Sequence, residues 1–132
     1  MSIGAGEVEA LTRAARAVRR RAYAPYSRFA VGAAVLTVSG TIVAGCNVEN
    51  ASYGLSICAE RVAVACAVAG GHRRLRAVAV AADPPAPPCG ACRQVLLEFG
   101  VDAVIVAPVR GAPRLHRLAD LLAHPFVPDR LP

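Results

Sequence analysis

Residues 75–108 read LRAVAVAADPPAPPCGACRQVLLEFGVDAVIVAP, and the fold turns on how this stretch is divided. Leu75 to Ala82 is a nearly all-apolar run of strand length, the pattern of a strand covered on both faces of its sheet. Asp83 to Pro88 follows with prolines at 84, 85, 87 and 88, so it cannot be helical and delivers Cys89 stiffly to the next element. Cys89 to Gly100 then predicts a helix, and Val101 to Pro108 a second buried strand. Strand, helix and strand in this order point to an α/β fold with parallel strands.

Working outward, Val8, Leu11, Ala15, Val18 and Ala22 recur at helical spacing, with Arg13, Arg16 and Arg20 turned away, which predicts an amphipathic helix over 7–23. Its arginines gather toward the C-terminal end, where cations complement the helix dipole. Pro25 and Ser27 end it. Phe29 to Leu36 and Thr41 to Val48 read as strands around a Ser39-Gly40 turn, hence a hairpin. Asn50 to Ser56 reads as a polar loop. An alanine-rich helix begins near Ile57 and ends at Gly70-Gly71. A short helix is expected around Leu115 to Leu122, before a proline-broken tail. The expectation is an antiparallel hairpin feeding a sheet whose later strands are parallel, with residues 1–132 forming one domain.

Composition excludes several classes. With 55% hydrophobic and 18% charged residues the chain is too apolar for a disordered one. Phe29 to Val48 is uncharged for twenty residues, but Thr37, Ser39, Gly40, Thr41 and Gly45 break it with a turn, against a membrane helix. Glu7 and Glu9 with no apolar stretch before the first basic residues do not resemble a signal peptide, so a cytoplasmic location is the default expectation. The net charge is +6 and all fifteen basic residues are arginine, which raises nucleic acid as a partner. Apart from Arg19–Arg21 and Arg73–Arg74 they are scattered, without the interleaved aromatics of single-strand binders, so a solvated surface is the preferred reading.

Five cysteines, an odd number in a chain without secretion features, disfavour a disulfide framework. Cys89-Gly90-Ala91-Cys92 suits either a redox pair or two ligands of a tetrahedral zinc. Cys58-Ala59-Glu60, at the mouth of the other helix, shifts the balance toward zinc. Helices that follow neighbouring strands of the same direction begin at one edge of a sheet, where three thiolates can meet. Three protein ligands leave a fourth position for water, the catalytic form of zinc, and such a water loses a proton near neutral pH. Glu60 is either a dipole-favoured acid of a first helical turn or the group that shuttles protons at that open position. Three thiolates also leave excess negative charge, which Arg61, in preference to Arg93, is placed to offset by donating to sulfur.

Four blocks then carry a resemblance: Tyr26-Ser27-Arg28-Phe29-Ala30-Val31-Gly32-Ala33-Ala34, Asn47-Val48-Glu49-Asn50-Ala51-Ser52-Tyr53, Cys58-Ala59-Glu60-Arg61 and Pro88-Cys89-Gly90-Ala91-Cys92-Arg93-Gln94. In order and spacing they resemble the small homotetrameric, zinc-dependent cytidine deaminases, over nearly the whole chain. The resemblance implies a three-layer α/β/α sandwich around a mixed five-stranded sheet. It implies one zinc per subunit on Cys58, Cys89 and Cys92, and Glu60 as proton shuttle, in the pattern of a non-ligand Glu followed downstream by Pro-Cys-x-x-Cys. Asn47 and Glu49 are implied at the ribose 3′-hydroxyl, Phe29 against the pyrimidine, and Ala59 at the substrate. Tyr53 is implied to reach a neighbouring subunit's substrate, and Phe126 to help close a neighbour's site. The tail, Leu122-Ala123-His124-Pro125-Phe126-Val127-Pro128, has Val127 where glycine is common in the family. Cys46 and Cys66 match no ligand position and read as small buried residues. His72, His116 and His124 lie outside the motifs and read as surface groups.

The implied activity is hydrolytic deamination of cytidine and 2′-deoxycytidine to uridine and deoxyuridine with release of ammonia, by a zinc-activated hydroxide, as in pyrimidine salvage. The rival readings are deamination of another aminopyrimidine nucleoside or nucleotide, polynucleotide editing, and a non-catalytic zinc module. The carboxylate of Glu49 argues against a 3′-phosphate, and a chain this short has no further strand-binding elements.

Overall fold

A computed structural model describes residues 3–127. Its elements are α1 (Ala5–Val18) with a 3-10 turn at Arg19–Arg21, β1 (Gly32–Thr37), β2 (Ile42–Cys46), a 3-10 turn at Tyr53–Leu55, α2 (Ala59–Ala69) and β3 (Leu75–Ala82). There follow α3 (Gly90–Glu98), β4 (Ala103–Pro108), β5 (Arg114–Arg117) and the one-turn α4 (Leu118–Leu121). The five strands form a single sheet in the order β2-β1-β3-β4-β5. β1 pairs antiparallel with both β2 and β3, and β3 pairs parallel with β4. The antiparallel hairpin feeding parallel strands is what the strand and helix pattern implies, and the mixed five-stranded sheet with helices on both faces is what the resemblance implies.

The core follows from the two-residue period of the strands. Ala34, Leu36, Ala77, Ala79, Ala81, Ala103, Ile105 and Ala107 face α1, where they meet Leu11 and Ala15. Ala33, Val35, Val78, Val80, Val104 and Val106 face the other way, against Ala63, Val64 and Ala67 of α2, Leu96 of α3 and Leu118. Alanine on one face and valine on the other reads directly from the alternation in 77–81. The small face lets α1 lie close to the sheet. Glycine permits two closer approaches still: a methyl group on Gly32 would overlap the carbonyl oxygen of Ala15, and one on Gly45 would overlap the backbone nitrogen of Ala63. Gly45 therefore sets how near α2 sits to β2.

The topology explains where the site falls. β2 and β3 both run antiparallel to β1 and so point the same way. α2 follows β2 and α3 follows β3, so both helices begin at the carboxyl edge of these strands.

One expectation is corrected. The helix expected around Leu115 to Leu122 is in fact strand β5, paired antiparallel with β4 from Ala103↔Arg117 to Val106↔Arg114, and the helix shrinks to Leu118–Leu121. The outer edge of β4 has backbone donors and acceptors that need partners, and Arg114–Arg117 supplies them. Leu115 and Leu118 fit a helical period as well as they fit a strand followed by a turn.

The tight packing at Gly45 predicts that Gly45→Ala lowers stability by about 1–3 kcal/mol through overpacking. Gly54→Ala, where an added methyl has open space, should stay within about 0.5 kcal/mol of wild type. Urea midpoints of the two variants check this.

Candidate functional site

Cys58 and Cys89 are the N-cap residues of α2 and α3, and Cys92 lies in the first turn of α3. A helix N-cap usually carries an oxygen that accepts from a free backbone N–H. Here neither cysteine side chain makes such a bond. Each thiol instead stands at the positive end of a helix dipole, which favours thiolate. Cys58 Sγ is 3.9 Å from Cys89 Sγ, Cys89 Sγ is 3.5 Å from Cys92 Sγ, and all three sulfurs lie within 4.8 Å of one another. Sulfurs bound at ~2.3 Å around a tetrahedral zinc stand about 3.8 Å apart, so this spread fits one ion with small side-chain adjustments. Soft thiolate donors also select zinc over magnesium or calcium. A third thiol beside the Cys-x-x-Cys pair favours the metal reading over the redox one.

The electrostatics around the sulfurs are asymmetric. The hydrogen bond from Cys92, assisted by Arg61, holds the Cys58 thiol well below its ordinary range despite its burial, while Cys92 is pushed up. Arg61 donates through Nη2 to Cys58 Sγ at 3.5 Å, and its buried Nε has no protein partner among the described residues. Arg93 is committed elsewhere: Nε donates to the Pro88 carbonyl at 2.7 Å and Nη1 to the Leu121 carbonyl at 2.6 Å.

Glu60, two residues past Cys58, is only 5% exposed. Its burial lifts the carboxyl to about 7, so near neutral pH it can both hold and surrender a proton. It lines a cavity of about 320 Å³ together with Cys58, Ala59 and Cys89 at the base, Val80 from the end of β3, and Ala86 and Pro87 from the proline segment. Ser27, Phe29 and Val31 form one wall, with Asn47 and Glu49 beside them. A larger groove, about 530 Å³, runs along α1 past Thr12, Arg16 and Pro113. It contains no cysteine and lies away from the sulfurs.

Asn47 and Glu49 hold the wall together. Asn47 Oδ1 accepts from the Val31 N–H at 2.9 Å and its Nδ2 donates to the Phe29 carbonyl at 2.8 Å. Glu49 Oε1 accepts from the N–H groups of Tyr26 and Ser27 at 3.0 and 3.1 Å, and Oε2 accepts from the Ser27 hydroxyl. These bonds, led by the Ser27 hydroxyl, hold the Glu49 carboxyl below the usual carboxylate range. Ser27 and Val80 were not singled out from sequence. A serine between a turn and a strand, or a valine in an apolar run, carries no signal of a cavity wall until the strands are in place.

Tyr53 lies outside the cavity lining, 74% exposed, with its ring edge-on to Tyr26 at 5.8 Å. Phe126 is 55% exposed, and its carbonyl accepts from Gln94 Nε2 at 2.8 Å, which ties the tail to α3. Pro128 lies outside the described residues. The reading of Cys46 and Cys66 as buried is corrected: Cys46 is half-buried and Cys66 exposed. Cys66 lies with Ala65 and Ala69 on the outward face of α2. Because α2 is apolar on every side beyond Arg61, its periodicity did not mark which face meets the sheet.

A family model of the cytidine and deoxycytidylate deaminase zinc-binding region matches residues 6–108. The cytidine deaminase of Sporosarcina psychrophila is 44% identical over 129 residues, 95% of each chain. That of Mycobacterium tuberculosis is 54% identical over 115 residues, 84% of this chain and 83% of that one. The crystal structure of a cytidine deaminase from Burkholderia pseudomallei superposes with a TM-score of 0.84 at 48% identity, covering 89% of this chain and 98% of that chain.

Elemental analysis of the purified protein should find about one zinc per chain, from a single three-thiolate site. Cys58→Ala and Cys89→Ala should lose that metal while Cys66→Ala retains it. Full zinc in Cys89→Ala would place the metal elsewhere.

Proposed function

The chain belongs to the cytidine and deoxycytidylate deaminase family, and from that premise we propose that it hydrolyses cytidine and 2′-deoxycytidine to uridine and deoxyuridine, releasing ammonia. The observation that carries this reading is the single cavity in which the buried carboxyl of Glu60 meets the cysteine cluster. Its volume, about 320 Å³, is at the small end of ligand pockets and suits a nucleoside better than a strand.

Zinc is the cofactor, held by Cys58, Cys89 and Cys92; when bound it supplies Lewis acidity and an activated water. Glu60 takes a proton from the attacking water and delivers it to N3 of the pyrimidine as oxygen adds at C4. It then takes the proton of the new hydroxyl and hands it to the departing amino group, which leaves as ammonia. Water and cytidine are consumed, uridine and ammonia are formed, and Glu60 returns to its starting state. Arg61 offsets the charge of the thiolates by donating to Cys58. Phe29 stacks on the ring and Ala59 lies beneath it. Asn47 and Glu49 receive the 3′-hydroxyl of the sugar, and the ionised Glu49 repels a phosphate in that place.

Assembly completes the site. The outward face of α2, with Ala65, Cys66 and Ala69 exposed, bears no charge, and an apolar helix face on a surface belongs to an interface. Tyr53, Leu55 and Phe126 add exposed apolar bulk beyond the cavity. We read these surfaces as contacts of a homotetramer in which Tyr53 and Phe126 serve neighbouring cavities. Among the described residues no helix is long and apolar enough to cross a membrane. The cysteines are all free, which fits a reducing cytoplasm and one zinc-bearing domain per chain.

An ultraviolet assay on cytidine, deoxycytidine, cytosine and CMP tests the substrate, with turnover expected on the first two. Activity on CMP but not on cytidine would sink the nucleoside reading. Glu60→Gln should keep its zinc yet lose at least about 100-fold in kcat. Light scattering after gel filtration should give four chains for wild type, and Ala65→Glu, which places a charge in the α2 face, should give smaller species with reduced turnover. Wild-type activity from a monomeric Ala65→Glu would refute shared sites.

A further inference from the structure

Glu49 and Phe29 lie on separate segments, yet one hydroxyl joins them. Ser27 Oγ accepts the Phe29 N–H at 3.0 Å and donates to Glu49 Oε2. The polarity of this chain is fixed by chemistry: an amide N–H only donates, an ionised carboxylate only accepts, and the hydroxyl has a single proton to give. A carboxylate offers about four acceptor positions. Tyr26 N–H, Ser27 N–H and the Ser27 hydroxyl take three of them, leaving one on the oxygen that Ser27 holds. The carboxylate therefore presents one open acceptor in one direction. Without the Ser27 hydroxyl, Oε2 would have no protein partner among the described residues and the group could turn about its remaining contacts to Oε1.

We propose that Ser27 is a positioning residue for sugar recognition, fixing the Glu49 carboxylate so that its one free acceptor meets the nucleoside 3′-hydroxyl. The proposal rests on the reading of Glu49 as the sugar contact. Ser27 neither touches the reacting atoms nor carries charge, so its loss weakens binding and leaves proton transfer by Glu60 intact. Hydrogen bonds to charged groups are worth enough that losing one changes affinity by about tenfold.

The experiment measures kcat and KM on cytidine and on 3′-deoxycytidine for wild type, Ser27→Ala and Ser27→Thr, with zinc content and urea midpoint recorded for each. Expected for Ser27→Ala is a rise of about tenfold in KM for cytidine, with kcat within about threefold of wild type. Its KM for 3′-deoxycytidine should move less than about twofold, because the group that Glu49 receives is already missing. Ser27→Thr, which keeps the hydroxyl, should restore the cytidine KM. Equal rises on both substrates, a fall in kcat at constant KM, or failure of threonine to restore binding would each overturn the proposal. A wild-type enzyme that shows the same KM for both substrates would overturn the sugar contact itself, and the role of Ser27 with it.

Discussion

Three thiolates cannot be gathered at one point unless something compensates their mutual repulsion. With one Zn²⁺ they still carry a net single negative charge, which weakens the metal as a Lewis acid. The fold supplies compensation before any side chain is counted. Cys58 and Cys89 each cap a helix, and each helix N-terminus brings roughly half a positive charge to the sulfurs. Arg61 contributes a full charge, at 3.5 Å from Cys58 Sγ. The site thus depends on two helices beginning at one place, which in turn depends on β2 and β3 running in the same direction on either side of β1.

Small residues make that convergence accurate. The glycine under α2 lets that helix lie close to the sheet, where a bulkier residue would force it outward and move Cys58 away from the sulfurs of α3. The same economy leaves α2 with little bulk on its outer side, where Ala65, Cys66 and Ala69 stand uncovered. A helix built of small apolar residues can pack closely on two sides at once. In this chain one side is occupied by the sheet and the other is exposed.

Legibility in the sequence followed the strength of the local pattern. The apolar run 75–82 reads as a covered strand, and it is the central one. The two cysteine motifs, each at a helix start, gave the convergence of three sulfurs. Residues 114–117 were misread because four residues do not distinguish a period of two from one of 3.6, and what makes them a strand is the unfilled edge of β4. Cys66 was misplaced because residues 62–69 are alanine, valine and cysteine on every side of the helix and carry no periodic mark of its inner face. Ser27 reads from sequence only as a helix stop, since its partners, Phe29 and Glu49, are brought together only when β2 folds back along β1.

Asn47 and Glu49 illustrate why a site residue resists a single assignment. The sequence alone reads Asn47 as a strand-end turn residue and Glu49 as a surface acid, whereas the family resemblance implies that both contact the sugar. In the fold, Asn47 spans Phe29 and Val31, and Glu49 takes three donors from Tyr26 and Ser27, so both are structural ties of the cavity wall. These ties do not exclude ligand contact: an amide offers two donor hydrogens and two acceptor positions, and a carboxylate about four acceptor positions, so each group keeps spare capacity after the wall is bound. A polar group already held by several protein bonds has lost its rotational freedom before the substrate arrives, and binding no longer has to supply that ordering. Phe29, Asn47, Glu49 and Ser27 are therefore one hydrogen-bonded unit of the cavity wall, in which a change at either end alters the other.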